Sequence, residues 1–186
     1  MISKIVSSGQ HGAARAALDV ARENDLIDWW GGRAPRGRLD EGVGQIPDDY
    51  FAPRPYIESD RPKGLVEMKS SRIEDIDPLN VDLADATIFF WMGKPLPEFR
   101  PAAIHSKKIG KPFVMVDPWK RHQFPKVLKW LTQRNIRSIN VMGPRPHRSG
   151  QIYDLTKPYL RSLISQSFIH HVWGIEIWEP KPKPKT

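Results

Sequence analysis

Lys4-Ile5-Val6-Ser7-Ser8-Gly9-Gln10-His11-Gly12-Ala13-Ala14-Arg15-Ala16-Ala17-Leu18-Asp19 decides how this 186-residue chain is read. Within positions 4–7, Ile5 and Val6 are β-branched and apolar, and the stretch reads as a short buried strand. Gly9 and Gly12 drop their Cβ atoms where the chain must turn and where a ligand can touch backbone. From Ala13 the alanines favour a close-packed helix over 13–24, with Ala14, Ala17, Leu18 and Ala21 on the buried face. A strand, a glycine turn and a helix aim free N–H groups and the positive end of the helix dipole at one point, where an anion such as phosphate fits. The turn is not a full G-x-G-x-x-G, and it lacks the Lys-Ser/Thr of a P-loop.

Working outward, residues 26–30 approach a second strand. Gly31-Gly32-Arg33-Ala34-Pro35-Arg36-Gly37-Arg38 read as a loop whose glycines and guanidinium groups suit phosphate or carboxylate. Residues 51–62 carry three prolines and are expected to be irregular. Residues 63–75 read as a helical turn or two, and 79–85 as a short turn. The continuous run Ala86-Thr87-Ile88-Phe89-Phe90-Trp91 reads as a doubly covered strand of a parallel sheet. Gly93 follows at its C-terminal end, where open α/β sheets place ligands. A helix over 98–109, a strand over 113–116, a helix over 125–134, a strand over 138–141 and a helix over 151–165 complete the alternation. Residues 168–178 are aromatic and β-branched and read as an added edge strand. The expected fold is α/β: a Rossmann-like three-layer arrangement, with a mostly parallel sheet and helices on both faces. It occupies 1–178 as one ligand-binding domain, ahead of a disordered Pro/Lys tail over 179–186.

Composition narrows the function classes. Hydrophobic residues are 39% of the chain, which suits one core with long surface segments. Cysteine is absent, so disulfides and thiolate metal sites are excluded. No apolar run is long enough for a membrane span, and no signal-peptide core opens the chain; a cytoplasmic protein is expected. The net charge of +8 suits an anionic partner.

Motifs recurring in order resemble the molybdenum cofactor carrier protein-like family, of the Rossmann-like group that includes LOG and DprA. The first is the stretch over 5–19, similar to I-V-S-G-G-Q-T-G-V-D-R-A-A-L-D. Next come Arg33 to Arg38 with Ile46-Pro47 and Tyr50, then Asn80-Val81 and Asp85-Ala86-Thr87-Ile88. Gly110-Lys111-Pro112 and Ile139-Asn140-Val141-Met142-Gly143-Pro144-Arg145, with Gly150, Ile152 and Tyr153, complete the series over roughly 4–163. Ser8, His11 and Ala14 stand where the family motif has glycine, threonine and aspartate. Where the family has a Thr-Gly-Gly-Thr loop, this chain has Met92-Gly93-Lys94-Pro95-Leu96-Pro97-Glu98. The resemblance implies molybdenum cofactor or a nucleotide as ligand, and a homo-oligomer.

The expected site is a binding site at the sheet's C-terminal edge for a phosphorylated small molecule, in a carrier or sensor. Its residues are Ser7, Ser8, Gly9, Gln10, His11, Gly12, Arg15, Arg33, Gly37, Arg38, Gly93, Gly143, Pro144, Arg145 and Gly150. Gln10 or Asn140 would read a pterin or base edge. One alternative is a nucleotide phosphoribohydrolase-type hydrolase using Asp19, Asp85, Glu98 or Asp117, with His11 as proton shuttle. Another is a nucleic-acid binder, permitted by Lys107-Lys108, Lys120-Arg121, Arg148, seven tryptophans and the tail. His170 and His171 are adjacent, so on a strand they would face opposite ways and not share a metal.

Overall fold

A computed structural model describes residues 1–37, 39–40, 44–45, 47–51, 64–93, 97–144 and 151–173. Strand β1 (Lys4–Val6) leads into helix α1 (Ala13–Arg22) and then strand β2 (Trp29–Ala34). A small ribbon, β3 (Leu39–Asp40) with β4 (Gly44–Gln45), precedes β5 (Gly64–Glu67), α2 (Ile73–Asp82) and β6 (Ala86–Phe90). The chain continues through α3 (Arg100–Lys108), β7 (Phe113–Val116), α4 (Phe124–Gln133), β8 (Ser138–Met142) and α5 (Ile152–Trp173). Six strands form one sheet in the order β5-β2-β1-β8-β6-β7, with every pairing parallel. This is the expected Rossmann-like α/β fold.

The two faces of the sheet are covered separately. Leu18 of α1, Leu128 and Leu131 of α4, and Leu160 and Leu163 of α5 share one core with Ile5, Ile88, Phe90, Ile139 and Val141. Val81 of α2 and Ala102 of α3 share the other with Phe89, Phe99 and Met142. Alternate residues of β6 and β8 thus enter opposite cores, which is why Ile88-Phe89-Phe90 and Val141-Met142 are apolar without interruption.

Four local expectations give way. Gly31-Gly32-Arg33-Ala34 is strand, not loop. A Cβ on Gly31 would lie 2.1 Å from the Gly64 carbonyl oxygen, and one on Gly32 would lie 2.2 Å from that of Ser7. The glycines therefore let neighbouring backbones approach. β1 ends at Val6, so the Arg33 peptide lacks a strand on that side. Asn80 fills the gap, accepting from the Arg33 N–H at 2.7 Å and donating to its carbonyl at 3.0 Å. Residues 64–67, expected as helical, form β5. Residues 79–82, expected as a turn, belong to α2, which runs through Pro78. Residues 168–173, expected as strand, continue α5: Ser167 is buried, donates to the Ile164 carbonyl and accepts from the Ile2 N–H at 3.2 Å. That packing overrides the β-favouring composition. It also puts the start of β1 beside the end of α5. The expected tail over 179–186 lies outside the described residues. Among the described residues, no helix is long and apolar enough to cross a membrane.

Asp85 ties the entries of β6 and β8 together. Its carboxylate accepts from the Arg137 and Ser138 N–H groups at 3.0 and 2.8 Å, while its own N–H donates to the Ser138 hydroxyl. Partial burial pushes its pKa up, but the hydrogen bonds from Ser138 and Arg137 outweigh it and hold the carboxyl below its ordinary value of 3.8. A depressed carboxyl contributes stability above its unfolded pKa and loses it as pH falls through the folded one. Asp85→Asn should therefore cost about 1 kcal/mol at pH 7. The gap between wild type and variant should narrow once pH falls below the ordinary value of 3.8 and close below the lowered folded one, as read from urea midpoints across pH.

Candidate functional site

A cleft of about 480 Å³ opens at the C-terminal edge of the sheet. Ser8, Gln10, His11 and Ala14 come from the turn after β1 and the start of α1; Met142 and Gly143 come from the end of β8. The opposite wall is built from residues 71–74 and Asp77, around the start of α2, and from Glu98 and Phe99 before α3. Since α1 and α2 lie on opposite faces of the sheet, the cleft sits between two helix N-termini.

Those N-termini differ. α1 is capped by Gly12, with no side-chain hydrogen bond and no acid in its first turn. α2 has Glu74 and Asp75 in its first turn, and Glu98 lies in the short turn ahead of α3. Acids already offset the positive end of α2, while α1 has none in its first turn. Gly12 is required here: its φ is +91°, and a Cβ would lie 2.6 Å from the Pro144 carbonyl oxygen. A Cβ on Gly143 would lie 2.5 Å from Ala13 Cβ. The turn after β1 and the end of β8 are thus packed directly together.

Gln10 is 7% exposed and Ser8 is 8% exposed, yet both line the cleft. Neither side chain hydrogen-bonds another described residue. Ser7 is spent on structure: its hydroxyl donates to the Ala14 carbonyl and accepts from the Gly9 N–H. Gly9, at φ +72°, packs against Leu65.

The described arginines of the expected site lie elsewhere. Arg15 donates to the Gly9 carbonyl at 3.0 Å and stacks on Tyr50, 4.7 Å from the ring centroid. Among the described cleft residues the cation is Arg72, which pairs with Glu74 at 3.8 Å. Arg33 lies in β2 and Gly37 follows it, and neither lines the cleft; the Gly37 N–H donates to Glu67. Gly93 stands in open space beyond β6. Asn140 is fully buried in the sheet beside Thr87 and does not reach a ligand edge. Arg38, Arg145 and Gly150 lie outside the described residues. Sequence reasoning missed Asp77, Phe99, Met142 and residues 71–74. The return of α2 to the sheet edge brings Asp77 and residues 71–74 to the turn after β1, while Phe99 comes from the turn before α3 and Met142 from the end of β8.

Beside the cleft, the Asp19 carboxylate accepts from two hydroxyls, Tyr50 and Tyr153, the latter at 2.5 Å. The Tyr153 ring also lies 6.3 Å from that of His11. Burial and then Asp19 push the Tyr153 hydroxyl above its ordinary pKa, so it stays a donor. Asp19 thus joins α1, the turn at residues 48–50 and the start of α5. Asp19→Ala strands both hydroxyls and should cost about 2 kcal/mol in urea-midpoint stability. Tyr50→Phe combined with Tyr153→Phe should remove most of the further loss.

Fold and cleft together define a Rossmann-like ligand-binding protein. The chain belongs to the circularly permuted YpsA SLOG family, whose model matches residues 5–164. The crystal structure of the protein titled "Putative molybdenum carrier protein" from Syntrophus aciditrophicus SB is similar at 28% identity and a TM-score of 0.71; the match covers 87% of this chain and 94% of that one. No curated protein matches the chain.

Proposed function

We propose that this protein binds a phosphorylated small molecule, molybdenum cofactor or a nucleotide, as a carrier or sensor, with the phosphate at the start of α1. The observation behind this reading is the uncompensated α1 N-terminus opening into a cleft that holds the unpartnered Gln10 and Ser8. Backbone N–H groups of α1 would take the phosphate oxygens, and Gln10 and Ser8 would complete the contacts. For molybdenum cofactor, these residues suit the phosphate and ring system. Among the described residues no His, Asp or Glu group is arranged to hold a metal ion, and the chain has no cysteine. The metal would travel on its own organic ligand as cargo. The molybdenum carrier name of the similar structure supports trying this cargo first.

The test is native mass spectrometry of the purified protein, followed by thermal shift with nucleoside monophosphates. A ligand at a hundredfold excess over its Kd adds about 2.7 kcal/mol, a rise of several degrees. A binding constant that collapses with salt along a polyanion would instead favour nucleic acid. One observation favours a second reading, a nucleotide hydrolase: Glu98 and Asp77 line the same cleft as His11. That reading requires release of free base over time, abolished by Glu98→Gln.

A further inference from the structure

We infer that β7 is an open sheet edge on which a second copy of this chain pairs, antiparallel, about a two-fold axis at Val114. The inference is independent of the phosphate reading and concerns a different surface.

The two edges of the sheet differ. On β5 the outer side is closed by Phe51, which bridges Leu65, and the strand ends on the charged Glu67. At the other edge, β7 pairs with β6 alone among the described strands. It reads Phe113-Val114-Met115-Val116, with no charge, glycine or proline inside it. An apolar edge without such residues, and without a cover, is a template for another strand.

Backbone direction follows from two bonds. The Thr87 N–H donates to the Pro112 carbonyl, and the Trp91 N–H to that of Val116. Even positions of β7 thus turn their N–H and C=O groups toward β6, while Phe113 and Met115 turn theirs outward. Among the described residues, nothing bonds those four outward groups. The outward row stops at both ends. The Lys111 N–H is spent on the Ser106 carbonyl at 2.9 Å, and the Asp117 N–H on Gln123 Oε1 at 3.3 Å.

These ends fix the partner and the register. Phe113 opposite Met115 of a second copy, and Met115 opposite Phe113, satisfies every outward group on both strands. Sliding the register either way sets one of them against the spent N–H of Lys111 or Asp117. A strand whose free groups complement its own suits a second copy related by a two-fold axis, with Val114 facing its twin. The antiparallel partner also brings the end of β7 that leads to Trp119 beside the end that follows Ile109, and both side chains are exposed. Ladder and flanks together fall at the low end of interface size, below about 1,200 Å² in total, so pairing depends on concentration. The same ends carry the exposed Lys107, Lys108, Lys120 and Arg121, so added salt should strengthen it. Antiparallel pairing leaves the two clefts open at opposite ends of the joined sheet.

Sedimentation of the full chain over about 1–100 µM tests this, with a shift from monomer to dimer expected. Met115→Pro removes an outward N–H and no bond to β6, so it should melt within a few degrees of wild type and weaken the dimer about tenfold or more. The chain has no cysteine, so Val114→Cys supplies a single thiol. Facing residues of a non-hydrogen-bonded pair lie about 4.5 Å apart at Cα, and this variant should oxidise to a disulfide-linked dimer. Met115→Cys, offset from its twin, should cross-link poorly. A dimer unmoved by Met115→Pro, or cross-linked as readily through position 115 as through 114, overturns the β7 pairing. A monomer at every concentration overturns it too; Phe113 and Met115 amides that resist hydrogen exchange in that monomer would assign the edge to the chain's own residues.

Discussion

Gly32→Ala is expected to cost about 3 kcal/mol or more and to leave little folded protein at 37 °C. The added methyl would sit 2.2 Å from the Ser7 carbonyl oxygen and 2.8 Å from Asn80 Oδ1, at φ +150°. The first obstacle is backbone at the end of β1, an inner strand held by β2 and β8 on its two sides. It cannot swing aside as a side-chain tip would. Relief would require parting β2 from β1, which also breaks the two hydrogen bonds between Arg33 and Asn80. Gly37→Ala is the control. Gly37 has φ +86°, but a Cβ there meets nothing within 4 Å. It should lose only about 1 kcal/mol of backbone strain. Urea denaturation of the two variants separates close packing from conformational preference. Equal losses would mean that backbone approach does not explain Gly32.

Gly31 and Gly32 show how far local sequence carries the fold. β1, β6, β7 and β8 are legible because their apolar, β-branched residues are bounded by turn formers, so local chemistry suffices. Gly31 and Gly32 carry the local marks of a loop, and what makes them strand is the Gly64 and Ser7 carbonyls, distant in sequence. α5 fails in the opposite sense. Phe168 to Trp173 look like strand, but Ser167 and Ile2 hold that stretch in the helix. At the cleft, the turn after β1 was legible from Gly9 and Gly12. The acidic wall was not, because α2 reaches it from the other face of the sheet. Arg15 was expected to face the guest on its position in the motif alone. Its actual partners, the Gly9 carbonyl and the Tyr50 ring, follow from where the turn at residues 48–50 packs.

Ala14→Asp should separate stability from binding. Ala14 lies in the first turn of α1, is 6% exposed and lines the cleft. An aspartate there complements the helix dipole and should hold or raise stability by about 0.3–1 kcal/mol. It also brings a negative charge to the place proposed for the phosphate. Two unit charges about 4 Å apart repel by about 4 kcal/mol at an effective dielectric of about 20. Halving that for the open side of the cleft leaves about 2 kcal/mol, roughly a thirtyfold loss of ribose 5-phosphate affinity. Ala14→Asn has nearly the same shape without the charge and should bind within a few-fold of wild type. The position is informative because the family motif has aspartate where this chain has alanine. Here α1 is left free of the acid that would compete with an anion. Titration of both variants, with thermal melts alongside, reads the two effects independently. An aspartate variant that melts normally and still binds ribose 5-phosphate at full strength would place the phosphate away from α1.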